Sequence, residues 1–308
     1  MRVLLANPRG FCAGVDRAIE IVERALKLHG SPIYVRHEVV HNKFVVNKLK
    51  NKGAIFVEDI EDIPINGVTI FSAHGVSKNV RAMANKITNT IYDATCPLVT
   101  KVHKEVVKNQ KQKQTVILIG HQGHPEVEGT LGQSNEGENV HLVENINDIE
   151  KLNFNEKDAL SYTTQTTLSL DDTQIITKAL KNKFPSILEP KKSDICYATQ
   201  NRQDAVKVLM RSADILIVIG SKNSSNSNRL KEIAENMQKP SYLIDGADQL
   251  THTWFEGVNT VGVTAGASAP ELLVQEVVER LVSIGCDDVV EVGGVEEKTR
   301  FPVPIELR

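Results

Sequence analysis

The chain has 308 residues, enough for two or three domains, and its 41% hydrophobic and 24% charged residues are ordinary for a globular protein. A net charge of −3 gives no reason to expect nucleic acid or a membrane surface as the main partner. No run approaches the roughly 18 apolar residues of a membrane helix, and the N-terminal segment is too short for a signal peptide. We therefore expect a cytoplasmic protein.

Four cysteines are spread along the chain: Cys12, Cys96, Cys196 and Cys286. They form no CxxC pair, which excludes a zinc ribbon and a thioredoxin motif, and disulfides are unusual in a cytoplasmic chain of this size. Each of the first three follows a predicted strand or turn and precedes apolar residues on one helix face. Their separations are 96 − 12 = 84 and 196 − 96 = 100 residues. Cys286 has no such partner, and we interpret it as an ordinary cysteine rather than a fourth ligand.

Three further blocks follow each of these helices in the same order. They are a strand leading to a polar loop, a strand with an acidic end, and a strand running into a small-residue loop. The blocks begin at Ile33, Ala54 and Ile70 in the first repeat, Val116, Val140 and Tyr162 in the second, and Leu216, Ser241 and Val263 in the third. The polar loops keep their distance from the cysteine, since 41 − 12 = 29, 124 − 96 = 28 and 224 − 196 = 28. Four blocks at one period predict a three-fold internal repeat.

The alternation of short apolar strands with helices predicts an α/β fold with mainly parallel sheets. We expect three similar α/β lobes around a pseudo-three-fold axis, with the cysteine loops at the centre. The predicted bounds are 14–96, 97–193 and 194–281 for the lobes and 282–308 for a C-terminal tail. Ligands of parallel sheets bind beyond the carboxyl ends of the strands, where the loops of interest lie.

Three thiolates at a common centre suit an iron–sulfur cluster with one open iron, or a zinc site with an open position. Histidines in the polar loops could complete a zinc site, so the spacing alone leaves both metals open.

The polar loops resemble an anion site because they combine hydrogen-bond donors with helix N-termini. The candidate residues are His41, His74, His124, Ser224, Ser225, Asn226 and Ser268. Helix capping is the alternative interpretation of these residue types. Glu126 beside a bound anion would retain its proton and could act as a general acid, or it could simply favour the first turn of a helix. The lysine-rich stretch Lys101 to Lys113 is typical of a solvated helix face.

Nine strings of residues resemble one family closely, the 4-hydroxy-3-methylbut-2-enyl diphosphate reductase (LytB) family. The strings are 7–15, 40–42, 72–76, 93–97, 120–129, 164–169, 195–202, 223–227 and 264–271. The resemblance extends from the start of the chain to about residue 280. The segment 296–304 resembles the C-terminal tail of the family only loosely.

This resemblance implies that Cys12, Cys96 and Cys196 hold one 4Fe-4S cluster per chain, with the open iron facing the substrate hydroxyl. It implies that Glu126 delivers a proton and that Thr166 orders the hydroxyl and a water. The diphosphate would be held by His41, His74, His124, Ser224, Ser225, Asn226 and Ser268, so that Thr166 would bind the substrate at its hydroxyl end. The N-terminal strand, residues 1–13, would pack with the third lobe, as it does in the family.

The implied reaction is a two-electron reductive dehydroxylation that yields isopentenyl and dimethylallyl diphosphates, the last step of the non-mevalonate (MEP) isoprenoid pathway. An electron donor such as ferredoxin or flavodoxin would be the protein partner. No lysine or arginine belongs to the implied site, so we expect one or more lobes to close on the substrate and exclude water.

Three alternative functions remain at this point. A second cluster enzyme with three dispersed cysteines, such as quinolinate synthase, would bind a substrate derived from a dicarboxylate. A zinc hydrolase acting on a phosphate ester would contain zinc without sulfide. An iron–sulfur redox sensor or electron carrier would turn over no diphosphate.

Overall fold

The structure, a computed structural model, describes residues 1–134, 139–155 and 157–308. The chain separates into two compact units. Unit 1 contains Met1–Asp16, Val40–Lys48 and Tyr197–Arg300, and unit 2 contains Arg17–Val39, Leu49–Cys196 and Phe301–Arg308. Among the described residues, no helix combines the length and the apolar character needed to cross a membrane.

The secondary structure alternates along the chain. The strands are β1 (Arg2–Leu5), β2 (Ile33–Arg36), β3 (Ala54–Val57), β4 (Thr69–Phe71), β5 (Ile91–Asp93), β6 (Thr115–Ile119), β7 (Val140–Val143), β8 (Leu160–Thr164), β9 (Ile215–Ile219), β10 (Ser241–Ile244), β11 (Thr260–Ala265) and β12 (Asp288–Glu291). The helices are α1 (Ala13–His29), α2 (Lys43–Asn51), α3 (Lys78–Ile87), α4 (Pro97–Lys111), α5 (Pro125–Leu131), α6 (Ile146–Lys151), α7 (Leu170–Lys183), α8 (Tyr197–Leu209), α9 (Ser225–Asn236) and α10 (Glu271–Ser283). Short 3-10 helices lie at Ile60–Asp62, Ala247–Gln249, His252–Phe255 and Ile305–Leu307.

Unit 1 is built on a parallel sheet with the order β10-β9-β11-β1-β12. All five residues of β9 are apolar and buried, as expected for a central strand covered on both faces. The N-terminal strand β1 lies between β11 and β12, with Leu4 opposite Gly262 on one side and Val290 on the other. The first strand of the chain therefore depends on segments from its far end.

Unit 2 contains two smaller parallel sheets, with the orders β3-β2-β4-β5 and β7-β6-β8. The apolar strand β6 is the middle strand of its sheet, and Ile117 and Ile119 pack into one core while Val116 and Leu118 pack into another. With the sheet of unit 1, these sheets confirm the predicted α/β fold with three parallel sheets.

The three cysteine-bearing turns pass directly into helices, as the apolar spacing predicts. Helix α1 begins at Ala13, α4 at Pro97 and α8 at Tyr197, each at the residue after a cysteine. Proline suits this place because its missing N–H would have no helical partner in the first turn. The cysteine is thereby fixed at the N-terminal end of a helix in each repeat.

The lysine-rich stretch is only partly a solvated helix face. Lys104, Lys108 and Lys111 on α4 are exposed. Lys101, on the same helix, instead donates a hydrogen bond to the buried carboxylate of Asp194 at 2.9 Å. The predicted interpretation is therefore wrong for Lys101, because its ammonium group neutralises a buried charge.

Candidate active site

The three cysteines of the repeat occupy equivalent places. Each backbone N–H donates to a carbonyl two residues beyond the last residue of a strand: Cys12 to Ala267 after β11 (3.3 Å), Cys96 to Ala73 after β4 (2.9 Å) and Cys196 to Thr166 after β8 (3.0 Å). The helix that follows each cysteine and the loop that leaves a strand thus fix the cysteine backbone. Three thiols in one repeated setting fit a soft metal centre.

The surroundings of Cys12 disfavour a free thiolate. Burial raises the pKa of the Cys12 thiol, and the nearby positive charge of Arg202 acts against that rise. A thiol that ionises with difficulty on its own is deprotonated when it coordinates a metal. Cys286, by contrast, lies in the hydrophobic core of unit 1 with 3% of its surface exposed.

Glu126 lies in the first turn of α5, and its side chain is buried, with 3% of its surface exposed. Its Oε1 accepts a hydrogen bond from the backbone N–H of Thr166 at 2.6 Å, and its Oε2 accepts one from the Thr166 hydroxyl at 2.9 Å. Burial raises the pKa of Glu126 to about 7, although both Thr166 hydrogen bonds oppose the rise. The carboxyl can therefore carry a proton near neutral pH.

Thr166 links the acid to a cysteine. Its N–H and hydroxyl donate to Glu126, while its carbonyl accepts from the N–H of Cys196. Thr166 therefore fixes the Glu126 carboxyl relative to the Cys196 turn, because its N–H and hydroxyl bind the carboxyl and its carbonyl binds the cysteine.

Asp194, which sequence reasoning did not identify, stabilises the end of β8 next to Thr166. Its Oδ2 accepts hydrogen bonds from the Thr163 hydroxyl at 2.8 Å and the Thr164 N–H at 3.0 Å, and Lys101 neutralises its Oδ1. The charge of Asp194 also contributes to the raised pKa of Glu126. The available signal was an aspartate shortly before two of the cysteines: Asp194 lies two residues before Cys196, and Asp93, which accepts the N–H of Thr95, lies three residues before Cys96.

Asn226 reproduces the backbone contact of Glu126 in another repeat. The two residues follow their cysteines at the same distance, because 126 − 96 = 30 and 226 − 196 = 30. Asn226 Oδ1 accepts the N–H of Ala267 at 2.8 Å, and the carbonyl of Ala267 accepts the N–H of Cys12. An amide oxygen thus suffices for this structural contact, so the carboxyl of Glu126 is available for a chemical role.

In unit 1, several of the predicted anion-binding residues are brought together. Asn223 Nδ2 lies 3.3 Å from His41 Nδ1, and the Ser268 hydroxyl donates to the carbonyl of His41 at 2.8 Å. Ser224 caps α9 by accepting the N–H of Ser227, and Ser225 is the first residue of that helix. The capping interpretation therefore holds for Ser224, while His41, Asn226 and Ser268 form a buried polar group beside it.

In unit 2, His74 and His124 lie next to each other, with ring centroids 5.8 Å apart in an edge-to-face arrangement. His124 Nδ1 accepts the N–H of Glu126 at 3.1 Å, which caps α5 and makes Nε2 the N–H donor of this ring. The ring of His37, which the sequence did not mark as a site residue, lies 5.8 Å from the ring of His74. This cluster of imidazoles beside a buried acid suits an anionic ligand.

The parallel α/β fold, the repeated cysteine turns and the buried acid are those of an α/β enzyme with its functional groups in the loops beyond the strands. The family model described as LytB protein matches residues 3–282, and the chain belongs to this family. The resemblance inferred from the sequence motifs is confirmed.

Known relatives match the chain over its whole length. It is 68% identical over 308 residues to the 4-hydroxy-3-methylbut-2-enyl diphosphate reductase of Vesicomyosocius okutanii, covering 100% of both chains. The reductase of the same name from Pseudoalteromonas translucida is 59% identical over 309 residues, again with 100% of both chains covered.

Among solved structures, the E-1-hydroxy-2-methyl-but-2-enyl-4-diphosphate reductase of Plasmodium falciparum is similar with a TM-score of 0.94 and 42% identity, over 99% of this chain and 96% of that one. A second structure, described as (E)-4-hydroxy-3-methyl-but-2-enyl diphosphate reductase and as the terminal enzyme of the non-mevalonate pathway, has a TM-score of 0.65 and 32% identity. It covers 92% of this chain and 100% of its own.

Proposed function

We propose that the chain reduces 4-hydroxy-3-methylbut-2-enyl diphosphate to isopentenyl and dimethylallyl diphosphates. The single observation that carries the proposed mechanism is the Glu126–Thr166–Cys196 linkage, which joins a carboxyl that can carry a proton near neutral pH to a thiol turn. The names of the full-length relatives supply the substrate class.

We assign Cys12, Cys96 and Cys196 as the ligands of a 4Fe-4S cluster. Three thiolates leave one iron without a protein ligand, and a cluster of this kind would supply electrons and a Lewis-acidic iron for the substrate hydroxyl. The partly buried setting of Cys12 and the repeated backbone contacts support the assignment. Reduced thiols also favour a cytoplasmic location.

The remaining residues bind the substrate and move protons. The net reaction breaks the C–O bond and consumes two electrons and two protons, giving one water and one new C–H bond. Glu126 donates the proton that leaves with the oxygen, and Thr166 holds the Glu126 carboxyl in place for this transfer. The proposed donors to the diphosphate are His41, Ser224, Ser225, Asn226 and Ser268 in unit 1, and His74 and His124 in unit 2.

The test is an anaerobic preparation in which iron, sulfide and zinc are quantified and turnover is measured with viologen as the reductant. We expect about four irons per chain, equal sulfide and formation of both five-carbon diphosphates. Zinc without sulfide would contradict the redox chemistry, and iron without turnover would indicate another cluster enzyme or a sensor.

We further propose that an acidic electron carrier such as ferredoxin or flavodoxin is the protein partner. Two clefts of about 470 and 600 Å³ flank α4. Both include Thr95, and the larger one also includes Pro97, so they lie beside Cys96. Their charged lining consists of Arg17, Arg81, Lys101, Lys104, Lys108 and Lys111 against Asp93 and Glu105. Six cations against two anions in a chain of net charge −3 favour an acidic partner at this helix.

Charge reversal of Lys104, Lys108 and Lys111 to Glu is expected to raise the KM for a reduced ferredoxin or flavodoxin roughly tenfold or more, because electrostatic attraction speeds encounter. Turnover with viologen should stay at the level of the unmodified chain. Reversal of the exposed Lys86 and Lys178, on α3 and α7, is the control and should change neither assay. An equal loss in both assays, or no loss with the protein donor, would overturn this assignment.

A further inference from the structure

Arg202 on α8 is fully buried, with 0% of its surface exposed. Its Nε and Nη2 donate hydrogen bonds to the carbonyl of Gly10 at 3.0 and 2.7 Å, and Nη2 also donates to the carbonyl of Phe11 at 3.2 Å. These two carbonyls immediately precede Cys12. The guanidinium therefore fixes the two peptides that lead into the Cys12 turn.

The charge of Arg202 is met by a carboxylate from the C-terminal segment. Glu297 Oε1 accepts from Arg202 Nη1 at 3.0 Å, and its Oε2 accepts from Nη2 at 3.2 Å. Asn201 Nδ2 donates to the same carboxylate at 2.9 Å, and the Glu297 side chain is only 14% exposed. A buried arginine that lost this partner would leave an uncompensated charge in unit 1.

A second residue of the segment makes a similar attachment, since Thr299 is hydrogen-bonded to the Tyr197 hydroxyl. Tyr197 is the residue that follows Cys196 and begins α8. Two side chains of residues 297–299 thus attach to the helix that carries Arg202. The segment lies outside helices and strands, so these contacts account for its placement.

We infer that Arg202 and Glu297 form a positioning pair that holds the Cys12 turn in its metal-binding conformation and balances the local charge beside the thiol. The inference rests on the proposed role of Cys12 as a cluster ligand. Its physical basis is that groups behind a ligand set the orientation of that ligand, and that net charge near a cluster sets its reduction potential.

Substitution of the two residues should shift the reduction potential of the cluster in opposite directions. Glu297→Gln leaves the positive charge of Arg202 unbalanced, which favours the reduced cluster and shifts the reduction potential upward. Arg202→Gln leaves the negative charge of Glu297 unbalanced and shifts the potential downward. The double variant, which is neutral again, should return towards the potential of the unmodified chain.

The experiment uses the full chain with its cluster assembled anaerobically. It measures the potential by a redox titration followed by electron paramagnetic resonance, and the rate at which a chelator removes iron. We expect chelator removal to be roughly tenfold faster in each single variant than in the unmodified chain. Arg202→Lys keeps the charge but loses the forked contact with two carbonyls, so it should release iron faster with little change in potential.

Glu235→Gln is the matched control, because Glu235 pairs with Lys231 on the surface of the same unit. Potentials that move in the same direction for both single variants, or iron release at the unmodified rate, would overturn the inference. An unmodified chain that assembles no cluster would instead contradict the proposed function. Comparison with Arg202→Lys keeps the test decisive if Arg202→Gln folds poorly.

Discussion

Glu126→Gln is expected to lower kcat by a factor of about 10²–10⁴ while leaving the KM for the diphosphate close to that of the unmodified chain. The glutamine amide can still accept the Thr166 N–H but has no proton to give to the departing oxygen. Since the pKa of Glu126 is about 7, kcat of the unmodified chain should fall as the pH rises above that value and the acid ionises. The variant should lack this limb of the pH profile.

The structure supplies a control for this variant. Glu128 lies on the same helix two residues away and is exposed, so Glu128→Gln should retain normal kcat and a normal pH profile. The contact between Asn226 and Ala267 shows that an amide is accepted at the equivalent position. A Glu126→Gln chain that keeps more than about a tenth of the activity would contradict the proton-donor role.

Glu126→Gln should be more stable to unfolding than the unmodified chain at alkaline pH. The folded-state pKa of Glu126, about 7, exceeds the ordinary value of 4.5, so the unfolded chain releases this proton first. The stabilisation from the protonated carboxyl is complete below pH 4.5 and is lost as the pH rises through 7. Thermal unfolding above pH 7 should therefore show a higher Tm for Glu126→Gln, by an amount corresponding to at most about 3 kcal/mol.

Replacement of any one of Cys12, Cys96 and Cys196 by alanine is expected to abolish stable iron binding and to lower turnover by at least about 10³-fold. Each cysteine is held in its own turn by its own backbone hydrogen bond, so no one of them can substitute for another. Iron and sulfide analysis after anaerobic assembly, together with the visible absorption of the cluster, measures the effect.

Cys286→Ala is the control for these three variants. Its side chain is buried in the apolar core of unit 1, so its loss should cost about 1 kcal/mol of stability without changing iron content. Iron loss from Cys286→Ala equal to that from Cys96→Ala would overturn the ligand assignment.

Most of what the sequence could predict followed from its three-fold repeat. Strands such as β6 and β9 are continuous apolar runs between turn residues, and the helices after the cysteines show apolar residues on one face, so both are visible locally. The equal spacing of Glu126 and Asn226 from their cysteines was also present in the sequence. Only the structure shows that they accept equivalent N–H groups.

The contacts that sequence reasoning missed join distant segments. Arg202 and Glu297 are 95 residues apart, and neither belongs to a periodic pattern that points to the other. The strand β12 lies in the predicted tail, and its four residues are mostly exposed, so it has little of the apolar character that marks an inner strand. Contacts of this kind depend on packing between segments, which local composition does not encode.

The pairing of β1 with β11 and β12 has a consequence for biosynthesis. At about 5–20 residues per second, the ribosome needs roughly 15–60 s to reach the segments that enclose the first strand. During this time β1 has no sheet to join, and the Cys12 turn lacks both Ala267 and the Arg202–Glu297 pair. The turns at Cys96 and Cys196 can fold while synthesis continues. Cys12 is translated first, but its turn is the last of the three to reach its folded conformation. If Cys12 is a cluster ligand as proposed, metal insertion at this turn would follow the synthesis of residues 260–297.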